Sequence, residues 1–289
     1  MKKNKAVSGR GARCGLHTST AGGLDEMLKR ARELGEDAAQ IFVKSNRQWR
    51  MASLMEMDRV EFLLRKRLMD LWVCAHAGYL VNMAGQSEIR RKSIASLAEE
   101  IRRAEQLELE TVVVHCGSRG ETPAVQAVAK AEAGFLEAIE RSGTTRIRVA
   151  LENSAGQGAC LASGIEEWGE MVQGLPAKRR AACLDTAHAF AAGFDLRTEE
   201  GRETLLETCA RWIGLDSLVV LHANDSKTEC GSQVDRHEHL GYGKIGACGL
   251  RAFLTDDRLR GIPRIGELPP GEKEDRENLA FLRSCGSAS

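Results

Sequence analysis

Five apolar runs in this chain each end in a residue type that binds metal ions. His76 closes Leu71-Trp-Val-Cys-Ala-His, His115 closes Thr111-Val-Val-Val-His, and Glu152 closes Arg148-Val-Ala-Leu-Glu. Asp185 closes Ala182-Cys-Leu-Asp, and His222 closes Leu218-Val-Val-Leu-His. Runs of this kind read as buried parallel strands. A hydrophobic strand gains nothing from an imidazole or a carboxylate at its last position, so five such endings point to a multi-metal site at one end of a parallel sheet. Asp235 and His237 stand two residues apart, and an extended segment points both side chains the same way. That suits a shared metal. Asp185 and His188 stand three apart across a strand end, which assigns them to different metals. Imidazole and carboxylate donors suit zinc, with manganese as a substitute.

The elements that must carry these residues alternate along the chain. Strand-like runs fall near residues 12–17, 38–43, 70–75, 111–115, 147–152, 181–185, 217–222 and 262–267, with helical patterns between them. Leu24, Met27, Leu28, Ala31 and Leu34 recur at helical spacing just after Gly22-Gly23; residues 88–107 and 199–213 repeat the pattern. Eight alternations without a dividing linker predict a single-domain α/β fold, the (β/α)8 TIM barrel, whose active site gathers at the C-terminal ends of the strands. The ligand types fall there. A doubly wound open sheet would instead collect its ligands at one crevice. Residues 1–11 read as a flexible basic N-terminal tail, 12–284 as the barrel domain, and 285–289 as a C-terminal tail.

The chain carries 41 Lys and Arg against 41 Asp and Glu, a formal net charge of zero. This argues against binding nucleic acid by bulk charge, though not against a local basic face. No apolar run approaches the ~20 residues of a membrane span. Nine cysteines without a Cys-x-x-Cys pair read as reduced thiols of a cytoplasmic protein.

Six stretches together resemble one family: Gly15-Leu-His-Thr-Ser-Thr-Ala-Gly-Gly, Phe42-Val-Lys-Ser-Asn-Arg-Gln-Trp-Arg, His76-Ala-Gly-Tyr-Leu-Val-Asn, Glu152-Asn-Ser-Ala-Gly-Gln-Gly, and the segments holding Asp185 to His188 and His222 to His237. In order and spacing the chain, from about Gly15 to Leu282, resembles the endonuclease IV family of apurinic/apyrimidinic (AP) endonucleases. The resemblance implies three zinc ions per chain, with manganese possible at one site. One is held by His76, His115 and Glu152, a second by Glu152 as a bridge with Asp185, His222 and Glu267, and a third by His188, Asp235 and His237. It implies hydrolysis of the phosphodiester 5′ to an abasic site in duplex DNA, leaving a 3′-hydroxyl and a 5′-deoxyribose phosphate, with Glu152, Asp185 and Glu267 in the catalytic set and metal-activated water as the nucleophile. Lys44, Arg47, Gln48, Tyr79, Leu80 and Asn82 then contact DNA, and the protein acts as a monomer in base-excision repair, apart from membranes.

Several positions depart from the family pattern. Gly266 precedes Glu267 in a less apolar last strand, which predicts looser aim; Ala187, Ala75, Ala77 and Tyr242 replace commoner residues. Read without the resemblance, Lys44, Arg47 and Arg50 form a solvated loop around Trp49, Lys227 pairs with a carboxylate such as Asp225, and His17 and His239 either support ligands or simply pack. Two other functions compete. A sugar isomerase or epimerase on a related barrel also uses a Glu/Asp/His/Glu site, but has no need of His188, Asp235 and His237 or of the Asn46-Arg-Gln-Trp loop. A lesion-binding protein with weakened catalysis would follow from the altered last strand.

Overall fold

The structure is a computed structural model that describes residues 11–286. Eight parallel strands form one sheet: β1 (Cys14–Leu16), β2 (Ala38–Phe42), β3 (Trp72–His76), β4 (Thr111–His115), β5 (Arg148–Glu152), β6 (Arg180–Asp185), β7 (Leu218–His222) and β10 (Arg264–Gly266). Their order is β1-β10-β7-β6-β5-β4-β3-β2. The two ends meet through a parallel bridge between His17 and Gln40, where the Thr18 amide donates to Gln40 O at 2.8 Å. The sheet is thus closed, a TIM barrel as the alternation predicts. Gly15 permits the closure: a Cβ there would lie 1.7 Å from the Ala38 carbonyl oxygen. The remaining strands, β8 (Asp225–Ser226) and β9 (His237–Glu238), pair antiparallel outside the barrel.

Strand periodicity explains how a greasy barrel presents polar ends. Ala38, Cys74, Val113, Ala150, Ala181, Cys183, Val220 and Ile265 form one buried cluster of alternate strand residues. Two positions beyond six of them stand Gln40, His76, His115, Glu152, Asp185 and His222, and beyond Ile265 stands Glu267. Side chains two apart in a strand share a face, so the small residues pack the lumen and the ligand types stack above them. The register sets neighbours side by side: His115 against Glu152, and Asp185 against His222.

The helices form the outer layer. They are α1 (Leu24–Leu34), α2 (Glu56–Leu68), α3 (Ser87–Gln106), α4 (Ala124–Ser142), α5 (Ile165–Gly174), α6 (Thr186–Ala192), α7 (Glu199–Trp212), α8 (Gly246–Leu254) and α9 (Glu272–Gly286). In α1 the expected stripe buries Met27, Leu28 and Ala31 against the barrel. The expected N-terminal tail lies, apart from residue 11, outside the described residues, as do 287–289. Helix α9 continues through residue 286 with Cys285 buried, so the barrel's last helix runs past the expected boundary at 285. All nine cysteines are unpaired. No described helix is long and apolar enough to cross a membrane.

Candidate metal centre

The nine residues read as ligands come together at the C-terminal end of the barrel. His76, His115 and Glu152 place one ligand atom each within 4.8 Å of one another, and so do Glu152, Asp185, His222 and Glu267. A third group joins His188 and His237 to Asp185. Asp235 closes it: its Oδ2 lies 3.3 Å from His188 Nε2 and its Oδ1 3.2 Å from His237 Nε2. Asp185 therefore faces two groups rather than belonging to a set apart from His188. The reason is local: Asp185 caps α6 and accepts the His188 amide at 2.8 Å, so His188 rises on the first helical turn beside it.

The imidazoles are held with one nitrogen committed and the other aimed inward. A carbonyl oxygen only accepts, so the nitrogen facing it carries the proton. His76 Nδ1 donates to Ala77 O at 2.7 Å, His188 Nδ1 to Asn153 O at 2.9 Å, and His237 Nδ1 to Glu267 O at 2.7 Å. His222 Nε2 donates to the Gln40 side-chain oxygen at 2.9 Å. The opposite nitrogens of all four face carboxylates: His76 Nε2 is 3.2 Å from Glu152 Oε2, and His222 Nδ1 is 2.9 Å from Glu152 Oε1 and 3.1 Å from Glu267 Oε2. His115 stands at the rim, its Nδ1 3.6 Å from Glu152 Oε2 and its side chain 36% exposed.

This donor set fits divalent metal ions. The buried Nε2 of His237 makes no hydrogen bond, although it lies 3.6 Å from Asp185 Oδ2 and close to Asp235. Four carboxylates and five imidazoles, mostly buried, need positive charge among them. Protonation answers the same need: burial would lower His188 and His222, yet the surrounding carboxylates, with Cys183 beside His222, raise both well above the ordinary imidazole value. His237 is pushed up to about 9, its burial outweighed by Asp185 and Asp235. Burial would raise Glu152 and Glu267, but the imidazoles around them hold both well below the usual carboxylate range. Cys183, under His222, has its thiol pushed up to about 12 by burial.

Several residues that hold these ligands were not singled out from the sequence. Gln40 spans the lumen, donating to Glu267 Oε1 at 2.6 Å while accepting from His222. Asn153 accepts the Asp185 amide at 2.7 Å, and Asn224 donates to Asp185 Oδ2 at 2.6 Å while accepting the Glu267 amide at 2.7 Å. Gln157 accepts the Asp235 amide at 3.0 Å. Gln40, Asn153 and Asn224 are polar amides at buried positions, the signal that could have found them; Gln157 is exposed and carries no such signal. His17 proves to be a supporting group, 3.0 Å from Glu267 Oε1, whereas His239 accepts from Asn278 outside these groups.

The departures have physical answers. A Cβ on Gly266 would lie 2.9 Å from a Leu16 methyl and 3.0 Å from Leu268. The glycine thus sits against two leucine side-chain ends that any Cβ would have to displace, and Glu267 keeps its aim through Gln40, His17 and Asn224. At position 77 the backbone oxygen, not the side chain, orients His76. Lys227 lies 3.9 Å from Glu238 rather than against Asp225. Asp225 is fully buried and accepts the amides of Gly241, Gly243 and Ile245 at 3.0 Å each.

Of the residues expected to meet DNA, Arg47 and Gln48 are exposed on the β2–α2 loop and Leu80 is half-buried. Tyr79 is 56% exposed, its ring 5.3 Å from Phe42 and 6.0 Å from His76 between centroids, at the mouth of the centre. Lys44 and Asn82 point inward instead. Asn82 donates to Ser118 O at 3.0 Å and accepts the amides of Ser118 and Ala84 at 3.1 Å each, tying the β3–α3 loop to the segment after β4.

Comparison with known proteins gives first the class: residues 28–285 match the family described as xylose isomerase-like TIM barrel. The barrel also resembles a D-tagatose 3-epimerase-like protein, at 19% identity and a TM-score of 0.73, a likeness of fold alone. Within that class the relatives are specific. A probable endonuclease 4 of Oleidesulfovibrio alaskensis is 38% identical over 275 residues, 93% of each chain. The crystal structure of endonuclease IV from Thermus thermophilus superposes with a TM-score of 0.86 at 36% identity, covering 94% of this chain and 98% of the other. The chain belongs to the endonuclease IV family.

Proposed function

We propose that this protein is a zinc-dependent AP endonuclease that hydrolyses the phosphodiester 5′ to an abasic site in duplex DNA, leaving a 3′-hydroxyl and a 5′-deoxyribose phosphate for base-excision repair. The observation that carries this reading is the third ligand group, His188, Asp235 and His237, set against the Glu152, Asp185, His222 and Glu267 group. A barrel that isomerises sugars has no use for it.

Three zinc ions bound in these groups would supply a water ionised near neutral pH and positive charge for the transition-state phosphate. The chain's own residues do the rest. Glu152 sits at the centre, its two oxygens facing His76 and His222, and belongs to two groups at once. Gln40 and Asn224 hold Glu267 and His222, so little must reorganise during reaction. No side-chain nucleophile is needed: Cys183 is fully buried with its thiol protonated. At the mouth, Tyr79 packs edge-on to Phe42, and Arg47 and Gln48 stand exposed beside it. An abasic nucleotide lacks stacking and pairing, so extruding it costs less than extruding an intact one. Arg47 offers a planar cation suited to stacking or to phosphate in the opened duplex.

The test is incision of an end-labelled duplex bearing one abasic site, with and without prior chelation, with the product ends mapped. Chelator-sensitive cleavage 5′ to the lesion leaving a 3′-hydroxyl is expected. Tight abasic-DNA binding without incision by the metal-loaded protein would instead favour the lesion binder, and neither binding nor incision would favour the sugar enzyme.

A further inference from the structure

Outside the barrel wall, helix α3 buries a carboxylate that takes no part in the metal groups. Glu100 is 1% exposed. Its Oε2 accepts the Gly78 amide at 2.9 Å, and its Oε1 accepts the Ser96 hydroxyl at 2.8 Å. Lys44, with 4% of its side chain exposed, brings Nζ to 3.5 Å from Glu100 Oε1. The same ammonium donates to Ser96 Oγ at 2.7 Å, to Gln48 O at 2.8 Å and to Trp49 O at 3.2 Å. Next to this unit the Tyr79 amide donates to Asn46 O at 3.0 Å. Gly78 runs close to the same segment: a Cβ there would stand 3.3 Å from Asn46 O and 3.6 Å from Lys44 Cε.

These contacts join two loops. Residues 43–55, between β2 and α2, form no helix or strand, and a loop of that length samples many conformations unless something holds it. Here the Lys44 ammonium gathers its carbonyls from within, and Glu100 fixes both that ammonium and the backbone of the β3–α3 loop. With no net charge to draw DNA in, affinity depends on surfaces set before binding.

We propose that Glu100 is a positioning residue for substrate recognition: through Lys44, Ser96 and Gly78 it locks the β2–α2 and β3–α3 loops into one surface, so that Arg47, Gln48, Tyr79 and Leu80 meet the lesion together. This rests on the AP-endonuclease reading above. It also accounts for an inward-facing lysine in a loop otherwise suited to DNA.

The test compares wild type with Glu100→Gln, which keeps the shape and removes the charge, and with Ser96→Ala as a milder break. Four quantities are measured: affinity for a duplex with one abasic site, turnover of bis(4-nitrophenyl) phosphate, bound zinc, and amide hydrogen exchange across 43–55 and 78–82. If unlocking leaves the paired arrangement populated about one-tenth of the time, abasic-duplex affinity falls about ten-fold. Faster exchange confined to the two loops accompanies it, while small-substrate turnover and zinc content stay at wild type. Unchanged affinity overturns the proposal, and so does a parallel loss of zinc and small-substrate turnover, which marks a contribution to the whole barrel. Wild-type protein that does not prefer abasic to intact duplex overturns the functional reading and the proposal with it; failure of the proposal alone leaves that preference in the wild type and finds it undiminished in the variants.

Discussion

Glu152 combines full burial with four imidazoles within 4 Å, those of His76, His115, His188 and His222, and it belongs to two ligand groups at once. Glu152→Gln keeps the volume but removes the charge shared between two of those groups. Turnover of abasic DNA should fall by about 10²-fold or more, the scale of losing one electrostatic stabiliser, while abasic-DNA affinity changes far less. Near-normal turnover would remove the shared carboxylate from the mechanism. A second acid acts on stability instead. Glu36 is buried, accepts the Leu16 amide and the Thr18 hydroxyl at 3.0 Å each, and has its pKa raised by burial from 4.5 to about 7. The folded state therefore holds this proton more tightly than the unfolded chain. Stability from the neutral carboxyl is complete below about pH 4.5 and is lost as pH rises through 7, on the order of 3 kcal/mol in all. Glu36→Gln should abolish that loss. Urea unfolding of both proteins at pH 5 and pH 8 should show the variant gaining on wild type at the higher pH, and equal differences at both would refute the assignment.

At the scale of elements, the β8–β9 pair and the turn after it depend on one carboxylate. Asp225 accepts several amides of residues 241–246 while its own strand pairs with His237–Glu238. Asp225→Asn turns an acceptor into a donor facing those amides, and should cost about 2–3 kcal/mol, the value of hydrogen bonds to a charged group. Because β9 carries His237, bound zinc measured by elemental analysis should fall below the wild-type ratio, with loss from the third group first. Full zinc content with unchanged stability would show the turn to be held by other means. The β2–α2 loop gives a contrasting case: Arg47 is exposed and its loss breaks no buried contact. Arg47→Ala should weaken abasic-DNA binding several-fold with melting temperature and zinc content unaltered, measured by titration of labelled duplex. Equal affinity would return the loop to a solvated surface.

For the whole molecule, the metal groups tie together six of the eight barrel strands, β3, β4, β5, β6, β7 and the residue after β10. Ions held there bind only the closed barrel, so they stabilise it by mass action, about 4 kcal/mol for each ion supplied at 1,000 times its dissociation constant. Chelation should lower the melting temperature sharply, and zinc should restore it. A melting curve indifferent to chelation would mean that the barrel closes without metal. The absence of net charge gives a further global expectation: attraction to DNA comes from local cations, so affinity should fall less steeply with salt than for a uniformly basic protein.

The sequence by itself determined the barrel and most of its centre, because both follow short-range rules. Strand alternation aims every second residue into the lumen, so a ligand type closing an apolar run is legible at once, and the eightfold recurrence names the fold. Asp235 and His237 were equally legible, since their spacing matches that of an extended chain. What only the tertiary structure decided depends on contacts between distant segments. Gln40 meets Glu267 and His222 only when the barrel closes; Asp185 reaches two groups because it caps α6; and Gly266 lies against the Leu16 side chain of the neighbouring strand. Lys44 is the clearest case. In the sequence it is one of several cations around Trp49, and only the packing of α3 against the two loops turns it from the solvent toward a buried carboxylate 56 residues further on.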